Sequence, residues 1–174
     1  MGTRDRTRPD ESRKPAPITV EGYRRLEARA YHLWNVERPR MAAAVATAAA
    51  EGDRSENAEY QYSKKKLAEI DRELAWLGAR LEVLQIVHDP PPDDGRVHFG
   101  SWVRVRDEEG RTTVYRIVGP DETDPAAGLI SSESPVARAL LGKRSGDEVE
   151  VIRPRGSSVL TLLAVSTRPF DDSA

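Results

Sequence analysis

Apolar residues recur at alternating three- and four-residue spacing through the first half of the chain, which is the period of amphipathic helices. The pattern predicts a first helix from about residue 20 to about residue 51, N-capped by Thr19, with one apolar stripe formed by Tyr23, Leu26, Ala30 and Leu33. Pro39 interrupts this helix and is expected to kink it or to reset its register. A second helix shows a coiled-coil seam that consists of Leu67, Ile70, Leu74, Leu77, Leu81 and Leu84. Two such helices joined by a short turn predict an antiparallel two-helix coiled coil with arms about 50 Å long.

The hydrophobic period changes after the proline-rich segment 90–95. Alternating apolar and polar residues over 102–106 and 112–118 predict a β-hairpin, and 128–131, 148–152 and 159–165 predict three further strands. Ser134 followed by Pro135 predicts the start of a short helix, because proline is favoured at the first helical position. We therefore expect an α+β protein, with the coiled coil followed by a small antiparallel-sheet domain.

These changes of pattern divide the chain into five segments. Residues 1–17 consist largely of Arg, Asp, Pro, Ser and Thr, with almost nothing to bury, and are predicted to be a disordered tail. The coiled coil is assigned to 18–89, a linker to 90–96, the sheet domain to 97–168 and a second tail to 169–174.

Composition narrows the function classes. Charged residues make up 32% of the chain, but the net charge is only -2, which argues against a free-standing DNA or RNA binder. The chain has no cysteine, which excludes a disulfide framework and a thiolate metal site. The sequence shows neither an apolar run long enough to span a membrane nor an apolar N-terminal signal region, so we expect a soluble cytoplasmic protein without a membrane partner. A monomer is expected, because an antiparallel hairpin buries its own seam.

The predicted turn between the helices is rich in polar groups that can bind metals or protons, namely Asp53, Glu56, Asn57, Glu59 and Tyr60. Asp53 and Glu56 are three residues apart, so both carboxylates can face one ion. Mg²⁺ prefers such carboxylate oxygens. The same pair also fits a capping box, with Asp53 as N-cap and Glu56 as the third helical residue, which would contribute about 1 kcal/mol and no chemistry. Both interpretations are open at this point, and the spacing alone favours the capping box.

A cluster of cations follows the turn. Lys64, Lys65 and Lys66 lie about 16 Å along the helix from the turn, and Arg38 and Arg40 belong to the facing helix. They predict either a basic patch for RNA phosphates or an ordinary solvated face beside the seam.

The histidines and tryptophans are assigned no chemistry. His32, His88 and His98 are widely spaced and match no metal-ligand pattern. The three tryptophans are expected to be packing residues, namely Trp34, Trp76 and Trp102.

Two long motifs resemble a known family. Residues 52–67 are similar to the tip signature of the Gre transcript-cleavage factors, and 130–142 (ISSESPVARALLG) are similar to the C-terminal signature of that family. Segments 100–103 and 115–119 match as well, so the resemblance spans about residues 18–165 in the correct order. Segments 31–34, 37–39 and 64–66 resemble the GreB type within the family.

The resemblance implies a mechanism. A C-terminal domain of FKBP-like fold would dock on RNA polymerase at the rim of the secondary channel, through a loop that contains Glu133, Ser134 and Pro135. The coiled coil would reach the active centre, where Asp53 and Glu56 would hold a second Mg²⁺ shared with the polymerase. Asn57, Glu59 and Tyr60 would support these two carboxylates through hydrogen bonds and through contacts with the polymerase or the RNA. The polymerase would then cut the 3′ end of backtracked RNA, so we expect no enzymatic activity from the factor alone.

The resemblance also implies a role for the cations at 38, 40 and 64–66, which would contact the extruded RNA. One departure concerns residues 41–50, which are alanine-rich where GreB-type chains tend to carry basic and aromatic residues, so contact with long RNA is expected to be weaker.

Two alternative functions are weighed. A Gre-like protein can occupy the channel as a regulator or inhibitor without stimulating cleavage, although the presence of both Asp53 and Glu56 favours cleavage. A stand-alone prolyl isomerase is suggested only by the FKBP-like resemblance, and the strands show no obvious aromatic-lined pocket in the sequence.

Overall fold

The computed structural model describes residues 13–50, 58–154 and 156–171, and the chain divides into two compact units. The first unit contains residues 23–84 and the described residues up to Pro15. The second contains residues 16–22 and the chain from Gln85 onward. Residues 18–22, which the sequence analysis assigned to the coiled coil, thus group with the sheet domain.

The first unit is built from two helical arms, as the hydrophobic period predicts. The first arm consists of α1 (Val20–His32), a π-helical segment (Leu33–Glu37) and α2 (Arg38–Ala50), and the second arm is α3 (Ala58–Val83). The predicted change of register is found one turn before Pro39, in the π-helical segment. Proline cannot donate a backbone hydrogen bond to the preceding turn, so a wider turn at this place accommodates its ring.

The core of the first unit contains Leu33, Ile70 and Leu77, all buried, with four further residues of the predicted stripes or their continuation packed against them: Leu26, Ala30, Met41 and Leu74. The predicted seam is therefore confirmed at Ile70, Leu74 and Leu77, while Leu67 and Leu81 are half-buried. Leu84 is an exception, because α3 ends at Val83 and Leu84 begins strand β2 (Leu84–Val87). Towards the predicted turn, the buried positions are the small residues Ala48 and Ser63.

The second unit contains a two-stranded and a five-stranded sheet. Strand β1 (Ala16–Thr19) pairs with β2. The larger sheet has the order β5-β4-β3-β7-β6, formed by β3 (Trp102–Asp107), β4 (Thr112–Val118), β5 (Leu129–Ser131), β6 (Glu148–Arg153) and β7 (Gly156–Ser166). The α+β class is confirmed, and each predicted strand is present within three residues of its expected bounds.

The prediction of a purely antiparallel sheet is wrong at one edge. Strand β5 pairs with β4 in parallel, with Ile117 opposite Ile130, so the sheet is mixed. The cause is the connection between them, which contains the 3₁₀ turns Pro120–Glu122 and Pro125–Ala127 instead of a tight hairpin. This longer connection returns the chain to the end of the sheet from which β4 starts.

Helix α4 (Pro135–Leu140) covers one face of the larger sheet. Its buried residues Ala137 and Leu140 pack against inward side chains of the strands, which include Val103, Val105, Ile117, Val149, Val151, Leu160 and Leu162. The Ser134 hydroxyl accepts a hydrogen bond from the Ala137 amide at 3.2 Å, with Pro135 at the first helical position. The predicted helix start is thus confirmed.

A buried carboxylate holds the start of α1 in the second unit. The Thr19 hydroxyl accepts a hydrogen bond from the Gly22 amide at 3.0 Å, which confirms Thr19 as the N-cap. The same hydroxyl donates to Glu122 at 2.5 Å, and the Thr19 and Gly119 amides also donate to Glu122, each at 2.8 Å. A Cβ atom at Gly22 would lie 2.0 Å from the Glu122 carboxylate, so only glycine fits there.

Candidate functional site

The predicted tip lies largely outside the described residues. Asp53, Glu56 and Asn57 belong to residues 51–57, which join α2 to α3 along the chain and of which the structure gives no description. Glu59 is exposed and Tyr60 is half-buried in the first turn of α3. A carboxylate there interacts favourably with the positive end of the helix dipole. The roles assigned to the five tip residues therefore stay predictions.

The described residues contain no cluster of metal-ligating side chains. In residues 13–50, 58–154 and 156–171, no group of three or more His, Cys, Asp or Glu side chains could hold a metal ion. Asp53 and Glu56 supply hard oxygen donors of the kind that Mg²⁺ takes, but two carboxylates leave most of its coordination positions to other ligands. These two carboxylates alone would therefore not complete a Mg²⁺ site, and the metal role of both residues stays a prediction.

A separate question is membrane association. None of the helices among the described residues is long and apolar enough to cross a membrane.

The five cations predicted to bind RNA do not form one patch. Arg40 and Lys66 line a cleft of about 510 Å³ between the two arms. Arg38 instead pairs with Asp71, and Lys64 lies against Tyr60. Positions two apart on a helix point in opposite directions, which explains why Arg38 separates from Arg40 and Lys64 from Lys66. Lys65 is exposed.

The cleft between the arms is electrically balanced. Arg29 donates to Glu73 at 2.8 Å and to Glu37 at 2.6 Å, and these carboxylates raise the pKa of Arg29 above its ordinary value. The remaining lining residues are His32, Arg40, Met41, Tyr62, Lys66, Glu69 and Ile70. Three permanent cations and three carboxylates thus face this space, so it attracts phosphate groups weakly.

Lys66 is compensated by its neighbour one helical turn away. Its ammonium donates to Glu69 at 2.8 Å, a contact that raises the pKa of Lys66 and lowers the pKa of Glu69. Both side chains are substantially exposed, so the pair contributes little to stability. Its consequence is local: the charge of Lys66 is partly neutralised before any RNA approaches.

The second side of the hairpin presents aromatic rings with cations over them. The Arg38 guanidinium lies 5.4 Å from the centre of the Trp34 ring, and the Lys64 ammonium lies 5.8 Å from the Tyr60 ring. Arg38 also donates from Nε to Asp71 at 2.7 Å. We call these five residues the Trp34 face. Lys64 and Asp71 are seven residues apart on α3, which places them on the same side of that helix.

Two tryptophans are not the packing residues that the sequence analysis predicted. Trp34 is 60% exposed and Trp76 is 44% exposed, whereas Trp102 is half-buried in β3. The adjacent Leu33 fills the core in place of Trp34. The spacing of an aromatic residue and an arginine at positions i and i+4 is the sequence signal that could have indicated the Trp34–Arg38 pair.

The predicted docking loop is well ordered by local hydrogen bonds. The Glu133 amide donates to the Ser131 hydroxyl at 3.0 Å, and Ser134 caps α4 as described above. Glu133 and Pro135 are exposed, while Ser134 is half-buried. The loop thus presents an acidic and an apolar group on a fixed backbone, and its docking role stays a prediction.

Comparison with known proteins decides the family. The family model for "Transcription elongation factor, N-terminal" matches residues 16–86, and the model for "Transcription elongation factor, GreA/GreB, C-term" matches residues 92–167. The chain belongs to the GreA/GreB family. This confirms the resemblance drawn from the two sequence motifs.

Individual members of the GreA/GreB family are close relatives. The transcription elongation factor GreB of Yersinia pestis is 52% identical over 155 residues, which cover 89% of this chain and 91% of the relative. The transcription elongation factor GreB of Haemophilus influenzae is 55% identical over 139 residues, which cover 80% of this chain and 88% of the relative.

A solved structure of GreA factor homolog 1 from Thermus thermophilus is also similar, at 23% identity over 88% of this chain and 99% of its own. The TM-score between the two structures is 0.40.

Proposed function

We propose that this GreA/GreB-family protein is a transcription elongation factor that binds bacterial RNA polymerase through its secondary channel and stimulates cleavage of the 3′ end of backtracked RNA. The observation that supports this most directly is the match of both family models, in order, to residues 16–86 and 92–167. Two relatives named transcription elongation factor GreB are about 50% identical to this chain, and each match covers most of both chains. The place of action would be the bacterial cytoplasm, where the polymerase works.

The chemistry assigned to the tip is donation of two carboxylates. Asp53 and Glu56 would hold a shared Mg²⁺, with the polymerase supplying other ligands. Bound there, Mg²⁺ would neutralise charge on the scissile phosphate and acidify a coordinated water. One of the two carboxylates would also orient that water by accepting a hydrogen bond, and Asn57, Glu59 and Tyr60 would hold the tip against the polymerase or RNA. Because two carboxylates do not complete a metal site, the factor would have no activity alone.

Docking is assigned to the second unit. The exposed Glu133 and Pro135 flank Ser134, whose hydrogen bond to Ala137 fixes the loop at the start of α4. A pre-ordered loop loses little conformational entropy when it binds, which suits a recognition element. We assign this loop to the rim of the channel.

The decisive experiment measures RNA cleavage in stalled, backtracked complexes of the cognate polymerase with Mg²⁺. The variants are Asp53→Asn and Glu56→Gln, which remove one charge each at nearly constant size. The matched control is Glu82→Gln, an exposed acid near the opposite end of α3. We expect wild-type protein and the control to accelerate cleavage, and each tip variant to lose at least about tenfold of that acceleration.

Other results would lead to different conclusions. If both tip variants accelerate RNA cleavage as much as the control does, the carboxylates are only a helix cap and the proposed chemistry is wrong. If wild-type protein binds the polymerase but leaves cleavage unchanged or slows nucleotide addition, the protein is a channel-occupying regulator.

A further inference from the structure

We propose that the Trp34 face is a stacking site for the bases of the extruded single-stranded RNA, with Trp34 and Arg38 as its far end and Tyr60 and Lys64 as its near end relative to the tip. The proposal rests on the proposed function and adds to it the residues that hold the extruded RNA between the bond that is cut and the 3′ end. It also replaces the single basic patch expected from the sequence.

The exposure of Trp34 carries the first step of the argument. Its side chain is 60% exposed, although the neighbouring Leu33 is fully buried in the helical core. A large aromatic side chain that faces water contributes little to folding and is typical of binding surfaces. Tyr31, three residues earlier on the same arm, is 70% exposed and extends the aromatic surface.

The second step is the ordering of Arg38. Its guanidinium lies over the Trp34 ring at 5.4 Å, while its Nε donates to Asp71 at 2.7 Å on the facing arm. Asp71 offsets part of the positive charge, so attraction to phosphate is not the main feature of this end. An exposed indole ring with a guanidinium held over it instead suits a nucleobase, because bases stack on aromatic rings and on guanidinium planes.

The third step is the alignment of the two cation–ring pairs. Lys64 lies seven residues from Asp71 along α3, or about 10 Å towards the tip, and Tyr60 lies one turn further. Trp34 is separated from Ala50, the last described residue of α2, by about 24 Å of helix. One side of the hairpin therefore presents a ring and a cation at two levels along the path that RNA would follow from the tip.

The cleft on the opposite side is a weaker candidate. Tyr62 is also 60% exposed there, but it shares the cleft with the carboxylates of Glu37, Glu69 and Glu73. These carboxylates balance the cations and repel an RNA backbone. The Trp34 face has two cations, Arg38 and Lys64, against the one carboxylate of Asp71. Charge complementarity therefore favours the Trp34 face for a polyanion.

The test compares cleavage of short extruded RNA with cleavage of RNA long enough to pass Trp34. The variants are Trp34→Ala and the conservative Trp34→Phe, and the matched control is Trp76→Ala, which removes another exposed tryptophan of the same unit. We expect Trp34→Ala to lower the rate for long RNA at limiting factor concentration by at least about fivefold. The rate for short RNA should be unchanged, Trp34→Phe should restore most of the loss, and the control should behave like wild type.

A photo-crosslink gives an independent measurement. A thio-substituted base placed near the 3′ end of a long extruded RNA segment should crosslink to the peptide that contains Trp34 in the wild-type complex. Absence of this crosslink, or equal loss for long and short RNA with Trp34→Ala, would overturn the stacking site. Weaker binding of Trp34→Ala to polymerase without extruded RNA would overturn it too, because the face would then contact protein. Wild-type cleavage of short RNA tests the proposed function separately.

Discussion

At the scale of single residues, Glu122 has the least expected environment. It is a buried carboxylate that accepts hydrogen bonds from the amides of Thr19 and Gly119 and from the Thr19 hydroxyl. Burial of a carboxylate is costly unless its oxygens are satisfied in this way. Its bonds connect the 3₁₀ turn at Pro120–Glu122 to the N-cap of α1, so one side chain orders two distant parts of the second unit.

We expect Glu122→Ala to lower the free energy of unfolding of the second unit by about 3 kcal/mol, because it leaves buried donors without acceptors. Trp34→Phe with Trp76→Phe leaves Trp102 as the single tryptophan, and its fluorescence reports urea unfolding of that unit. Glu148→Ala, at an exposed position of β6, should change stability by less than about 0.5 kcal/mol. Equal effects of the two substitutions would show that the Glu122 bonds contribute no net stability.

At the scale of elements, the π-helical segment Leu33–Glu37 shapes the first arm. It points Leu33 into the core with Ile70 and Leu77, while Glu37 pairs with Arg29 on the cleft side. Wide turns of this kind occur often at functional sites and change which side chains share a face. The segment thereby leaves Trp34 exposed beside Arg38.

The buried position in this segment should dominate the stability of the hairpin. We expect Leu33→Ala to cost about 2–5 kcal/mol, because it opens a cavity in a core with few large buried side chains. Far-UV circular dichroism during urea unfolding would show the loss of helix at lower denaturant. Val36→Ala, at a 49% exposed position of the same segment, is the control and should shift the transition little. A similar shift for both would mean that the seam is not anchored at Leu33.

At the scale of the whole molecule, the two units are assigned separate tasks. The sheet unit would bind polymerase and the helical unit would deliver the carboxylates and contact RNA. If this division is correct, substitutions in one unit should affect affinity and those in the other should affect cleavage at saturation.

Glu133→Lys reverses the charge of the docking loop and keeps the Glu133 amide that donates to Ser131. We expect polymerase affinity to fall by about five- to fiftyfold, in the range of one interface charge contact, while cleavage at saturating factor stays near wild type. Competition binding to core polymerase gives the affinity. Glu150→Lys, an exposed acid of β6, controls for the change in net charge. Loss of cleavage at saturation for Glu133→Lys alone would contradict the division of tasks.

Much of the fold could be predicted because it depends on local patterns. The helical period located both arms, alternation located the strands, and single side chains marked the caps at Thr19 and Ser134. Each of these signals involves residues within a few positions of one another, where backbone geometry and burial repeat regularly. The family motifs likewise are contiguous, so the sequence by itself determined the family and the candidate tip residues.

Other features depend on contacts between distant residues, and only the tertiary structure decided them. Thr19 and Glu122 are 103 residues apart, so no local pattern connects them. The parallel placement of β5 follows from the path of its connection, and the pairing of Arg38 with Asp71 joins side chains of different arms, 33 residues apart. Hydrophobic periodicity indicates which side chains of an element are buried. The residues that each buried side chain contacts depend on how the elements pack against one another.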